Sequence, residues 1–544
     1  MKLASQLAVA LAVSFAAAAV SAHDVPAAGV DPARAIDPGL GRLHHAVSTR
    51  NRQAQAFFDQ GMRLLFAFNH EGAAASFARA AELDPNLAMA HWGIAYVLGP
   101  NYNFPMSPEA HKAAYAELQK AIALKDRATP AERDYIDALA RRYSSNPDAD
   151  VNPLNVAYKD AMAALARRHP NDVDAQVLYA ESVMDLRPWK LWEPDGAPAD
   201  GTFEIIAVLE RALRLDPNHP GANHYYVHAL EMSPTPGRAL PSARRLETLA
   251  PSAGHLVHMP AHTYIRTGNY VEAARANEVA ARADERLRAA GVHSLYTVGY
   301  YGHNLHFLAV SYGLAGNSKK SVAAARKLAD LVKPQLKDVP FVDGFYATPA
   351  QILVLFDRWD DVLALEEPPF EAPFSGAMYH FARALAFAAK GRGAESKAAR
   401  TKFDEMVAAT GQAAELGNNS MRGVLAVTAP YLDGRLALLA NDLPRAIGSL
   451  RDAAAAEDRL VYDEPPGWYL GSYWMLGTAL LKSGDAAGAE QAFRADLKHN
   501  VASGRSLFGL KAALAAQGRT SEAAAATEQF ERAWRAADVK LAVR

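Results

Sequence analysis

The feature that most constrains this chain is a helical pattern that returns along most of its length. In 57-FFDQGMRLLFAFNHEGAAASFARAAELDP-85 an aromatic pair is followed by Gly61, Leu64, Ala73, Phe77, Ala80 and Pro85. Further copies run over 253–284, 302–330, 377–403, 427–457 and 470–497. One small residue recurs in each copy (Gly61, Ala261, Ala309, Ala384, Gly434, Gly477), where the two helices of a pair have to cross closely. Alanine at spacings of three, four and seven, with few alternating runs, predicts an all-α chain. Such self-similarity dictates a stack of helical hairpins, because each hairpin buries its apolar face only against its neighbours.

The offsets, at a period of about 34 residues, resemble the tetratricopeptide repeat (TPR) family. The resemblance covers most of the chain beyond residue 52 and implies a right-handed superhelical solenoid of about twelve TPR-like hairpins. It also implies that repeat positions 2, 5, 9, 12 and 13 face a concave surface. It informs architecture and leaves function open. The expected organisation is a signal peptide over 1–22, a partly irregular segment over 23–51, N-terminal repeats with inserts over 52–170, central His-rich repeats over 171–335 and C-terminal repeats over 336–544.

The leader MKLASQLAVALAVSFAAAAVSA has an early Lys, an apolar run and small residues before a cleavage point after Ala22. It predicts a periplasmic or secreted protein, and no later stretch is apolar for long enough to span a membrane. A formal charge of −2 without a basic run argues against nucleic acid. The chain has no cysteine, which removes thiolate nucleophiles, disulfides and cysteine metal sites. Nucleotide loops and the hydrolase elbow are absent from the sequence, so no nucleotide cofactor is expected.

Repeat register places seven histidines on the concave surface of three successive repeats. His224 and His228 take positions 5 and 9; His255, His258 and His262 take 2, 5 and 9; His303 and His306 take 2 and 5. Imidazoles stacked on adjacent helices are ligands for a divalent transition metal, Zn, Cu, Fe or Mn. The expected metal set is His258 and His262 with His224 and His228, or with His303 and His306. Glu181, at position 9 of the preceding repeat, and His255, Tyr226 and Tyr264 are expected to contact a ligand or to serve as acid or base. Pro260, among the histidines, predicts either a bend near His258 or a fresh helix start at Met259. The loop 462-YDEPPGWY-469 reads as a packing element with Glu464 in reach of the groove.

These residues imply an exported solenoid that binds a protein, peptide or small ligand in its concave groove, beside a transition-metal site. A metalloenzyme built on the His and Glu cluster and a metal-free peptide scaffold are the alternatives.

Overall fold

The computed structural model describes residues 35–292, 294–412 and 414–542; the expected signal peptide, 1–22, lies outside them. The described chain is an all-α solenoid of paired helices. Arg52–Phe66 packs on His70–Leu83, Pro373–Ala389 on Gly393–Ala409, Met421–Leu439 on Leu443–Glu457, and Ser472–Lys482 on Ala486–His499. The strands among the described residues are Glu415–Leu416 and Asn419–Ser420, paired antiparallel.

Local chemistry sets the helix starts. Asn51, Asn69, Asp172, Asn317, Asp442 and Asp485 each cap a helix by accepting an N–H of its first turn. The recurrent small residue is where the second helix drops a large side chain onto the first. A Cβ at Gly61 would lie 2.4 Å from the Phe77 ring, and one at Gly477 would lie 2.6 Å from Phe493. Each hairpin then turns through a residue just past the first helix with φ near +50° to +90°, as at Gly268, Gly316, Gly391, Asn441 and Gly484. Phe68 occupies the same place in the first hairpin, with φ of 55°.

At Pro260 one short helix ends and another begins. Gly254–His258 ends at Met259, whose own backbone is helical, and Pro260–Arg266 starts with proline in its first turn. The missing N–H falls where a helix start needs none.

The solenoid closes on its own centre. Gly221 lies beneath Phe66 of the first hairpin, where a Cβ would approach the ring to 2.3 Å. At the other end Tyr270 donates to the Val501 carbonyl at 2.7 Å, and Asn317 donates to Ala536 at 3.2 Å. The histidine-bearing concave face of the central repeats is therefore largely interior.

Candidate metal centre

Six of the histidines form two triads that the repeat generates twice. His224, His228 and His255 bring one ring nitrogen each to a common point; His258, His262 and His303 do the same one repeat later. In each case positions 5 and 9 of one repeat meet position 2 of the next. His224 and His228 precede His258 and His262 by 34 residues, so stacking neighbours carries one geometry into the other. Ring centroids are 4.8, 4.9 and 6.3 Å apart in the first triad and 4.7, 4.7 and 5.8 Å apart in the second.

Outer partners fix which nitrogen faces inward for four of the six rings, while His255 Nδ1 has no partner. His224 Nδ1 donates to the Phe66 carbonyl at 2.7 Å. His258 Nδ1 donates to Asn277 Oδ1 at 2.6 Å, and Asn277 is itself oriented by donating to the Ala273 carbonyl. Glu231 accepts from His228 Nδ1 on one oxygen at 2.9 Å and from His262 Nδ1 on the other at 2.7 Å. With Nδ1 protonated, the neutral ring presents a lone pair at Nε2. Those Nε2 atoms face one another: His224 lies 3.1 Å from both His228 and His255, and His258 lies 2.7 Å from His262. Lone pairs so aimed repel unless a proton or cation lies between them. The separations approach the edge of about 3.3 Å that metal–nitrogen bonds of about 2.0–2.1 Å give a tetrahedral site.

Electrostatics keeps the donors ready. Burial holds His228 and His258 down to about 3, and burial with neighbouring rings holds His224, His255, His262 and His303 well below the usual imidazole range. Glu231 is fully buried and hydrogen-bonded to Glu464, whose carboxylate also touches His262 Nδ1. Burial raises both carboxyls well above their ordinary value, and the Glu231 charge raises Glu464 further. Two cations beside them would offset that cost. An all-imidazole donor set with carboxylate and carbonyl partners behind it fits a borderline transition metal.

Each triad is also roofed by a phenylalanine. Phe68 packs 4.5 Å from His224 and 5.4 Å from His255, and Phe307 packs 4.8 Å from His258 and 5.0 Å from His262. The left-handed backbone at Phe68 costs a bulky residue about 1–3 kcal/mol and is what lays its ring on the first triad.

The structure divides the expected site residues differently from the sequence. His255, expected to contact ligand, belongs with His224 and His228, because the middle helix gives one ring to the repeat before it and two to the second triad. His306 joins neither triad; it lines the cavity beside Phe345 and Tyr469. Tyr226 and Tyr264 point away, donating to Glu210 at 2.7 Å and Glu247 at 2.5 Å. Each is two residues from a triad histidine, which is the opposite face of a helix. Glu181 lies in a separate buried network, accepting from Tyr96 beside the Arg142–Asp185 ion pair. No histidine at position 2 follows it, since Gly221 stands there.

Glu231, Asn277 and Phe68 were absent from the expected set. Glu231 was findable: it follows His228 by three residues, at position 12 of a register that turns inward.

A cavity of about 470 Å³ opens on the centre, with His228, His255, His262, His303 and Glu464 in its wall. A larger one, about 810 Å³, lies under residues 38–46. There Asp174 accepts from His45 at 2.7 Å and His219 at 2.9 Å, while His219 Nδ1 caps the helix at Ala222. That cluster spends its hydrogen bonds on itself.

No family model matches the chain, and no curated protein matches it significantly. Among solved structures it is similar to a human IFIT1 dimer with m7Gppp-AAAA, at 13% identity over 89% of this chain and 91% of that one, with a TM-score of 0.29. It is similar to yeast Tom70 at 11% identity over 87% and 90%, TM-score 0.30. A third is the P58(IPK) TPR domain, at 12% identity over 86% and 99%, TM-score 0.21. Superpositions this loose carry no argument, and the fold rests on the hairpin geometry above. The fold is a tetratricopeptide-repeat solenoid. Within this solenoid the two triads are local to the central repeats: Phe58 and Met62 stand at positions 5 and 9 of the first repeat, and Phe381 and Leu385 at those of a later one.

Proposed function

We propose that this solenoid holds two transition-metal ions, one in each triad, and presents them to a small ligand in the adjoining cavity. The observation that carries the reading is a set of four locked tautomers: the Nδ1 atoms of His224, His228, His258 and His262 are occupied by acceptors, which turns their Nε2 lone pairs toward one another, with His255 and His303 each completing a triad. His224, His228 and His255 would hold one ion, and His258, His262 and His303 the other. Glu231 would couple them by orienting a ring in each. Neutral imidazoles favour Cu, Zn or Fe, whereas Mn prefers oxygen. Export, expected from the leader, would place this thiol-free centre in an oxidising compartment.

One observation favours catalysis as a second reading. His228 and His255 of one triad and His262 and His303 of the other line the cavity, so a ligand there would meet both ions.

The test is elemental analysis of the mature protein after metal-replete expression. About two ions per chain are expected. His224→Ala/His228→Ala and His258→Ala/His262→Ala should each remove about one. A wild-type protein without stoichiometric metal would sink the reading.

A further inference from the structure

The cavity has a chemistry of its own. Among the described residues, Phe104, Tyr300, Phe341, Phe345 and Phe374 form its walls, no lysine or arginine lines it, and the carboxyls of Glu415, Asp463 and Glu464 do. Burial raises Asp463 to about 6. Flat aromatic faces favour a ring. Against this apolar wall stands a polar atom with no partner: His306 Nε2 is buried and makes no hydrogen bond, its ring 5.5 Å from Phe345 and 6.0 Å from Tyr469. Tyr469 is committed to Gln351 at 2.7 Å, so it does not satisfy His306. Buried polar atoms are almost always paired, and a ligand lying in the cavity would supply the partner.

We infer that the cavity is the binding site of a small aromatic molecule bearing a hydroxyl group. Its rings lie against the aromatic walls, and its hydroxyl reaches the polar groups of the lining, His306 and the triad rings. A volume of about 470 Å³ takes one or two fused rings. This rests on the proposed metal centre for the hydroxyl's preference for those groups, and not for the aromatic pocket itself. Gly299 supplies an independent handle. It sits within the Leu295–Leu314 helix, lines the cavity, and a Cβ there would meet nothing nearer than Phe341 at 3.7 Å. A larger side chain at this position enters the cavity one helical turn before His303, so metal content is the control that separates a filled pocket from a disturbed triad.

The experiment is calorimetric titration of the full chain with 2-naphthol, with 2-methoxynaphthalene and 2-naphthalenesulfonate as comparators, and metal content measured on the same samples. Wild type should bind 2-naphthol at least about tenfold more tightly than either comparator. Gly299→Leu should weaken 2-naphthol about tenfold or more with metal content unchanged, and Phe345→Ala serves the same purpose if that variant misfolds. Full metal content with no 2-naphthol binding, equal binding of the sulfonate or the ether, or indifference to both variants overturns the inference and leaves the metal reading intact. Missing metal with 2-naphthol binding still blocked by Gly299→Leu overturns the metal reading instead and supports the pocket.

Discussion

At the scale of single residues, Glu231 is the most informative position. Each oxygen of its carboxylate serves a different triad, through His228 and through His262. Glu231→Gln keeps the shape but gives one ring an amide donor where it needs an acceptor, and removes the charge for both. Metal affinity at both triads is expected to fall about 10–100-fold, read by competition with a chromophoric chelator; loss at one triad alone would contradict the shared role. His255→Ala and His303→Ala separate the sites in the other direction, each lowering the metal count by about one in elemental analysis. Loss of metal from the same triad in both variants would contradict the division of rings. Phe68→Gly should relax a strained turn and uncover the first triad, so that chelator strips one ion faster while the second leaves at its wild-type rate. Equal acceleration of both would show that Phe68 acts on the whole fold.

At the scale of the element, the hairpin crossing is the unit that repeats. Phe493 fills the space over Gly477 and also abuts Gly509, where a Cβ would lie 2.2 Å from its ring. Gly477→Ala is expected to cost about 1–3 kcal/mol despite alanine's better helix propensity, measured as a lowered melting temperature. A neutral or stabilising result would mean the crossing relaxes freely. The small residues were legible as crossings in the sequence because the repeat fixes their place. The bisected helix 254–266 was legible only as a choice between a bend and a restart. The restart follows from Met259, whose helical backbone lets Pro260 open a new turn, and that depends on packing of the neighbouring helices rather than on the local string.

At the scale of the whole molecule, protonation of the triad imidazoles and metal binding act in opposite directions. The triad imidazoles are held neutral in the fold, His228 and His258 down to about 3, whereas in the unfolded chain they would protonate near 6.5. Below that pH the unfolded chain binds more protons, so this contribution is complete above about 6.5 and falls as pH drops toward 3. Glu231 and Glu464 have the opposite sign: raised by burial, they favour the metal-free fold below about 4.3 and disfavour it as pH rises. Metal bound about 1,000-fold above its dissociation constant would add about 4 kcal/mol. The gap in melting temperature between loaded and chelated protein should therefore be widest near neutral pH and shrink below about pH 5, by scanning calorimetry. A gap independent of pH would place the metal elsewhere. The sequence by itself determined the all-α repeat, the crossing residues and the inward register of the histidines, because these follow from a period that each hairpin carries within itself. Only the tertiary structure decided how six of those histidines divide into two triads, that His306, Glu181, Tyr226 and Tyr264 stand outside them, and that Glu464 reaches His262 from a loop some 200 residues away. Those facts depend on how far the solenoid winds back upon its own centre, which no single repeat encodes.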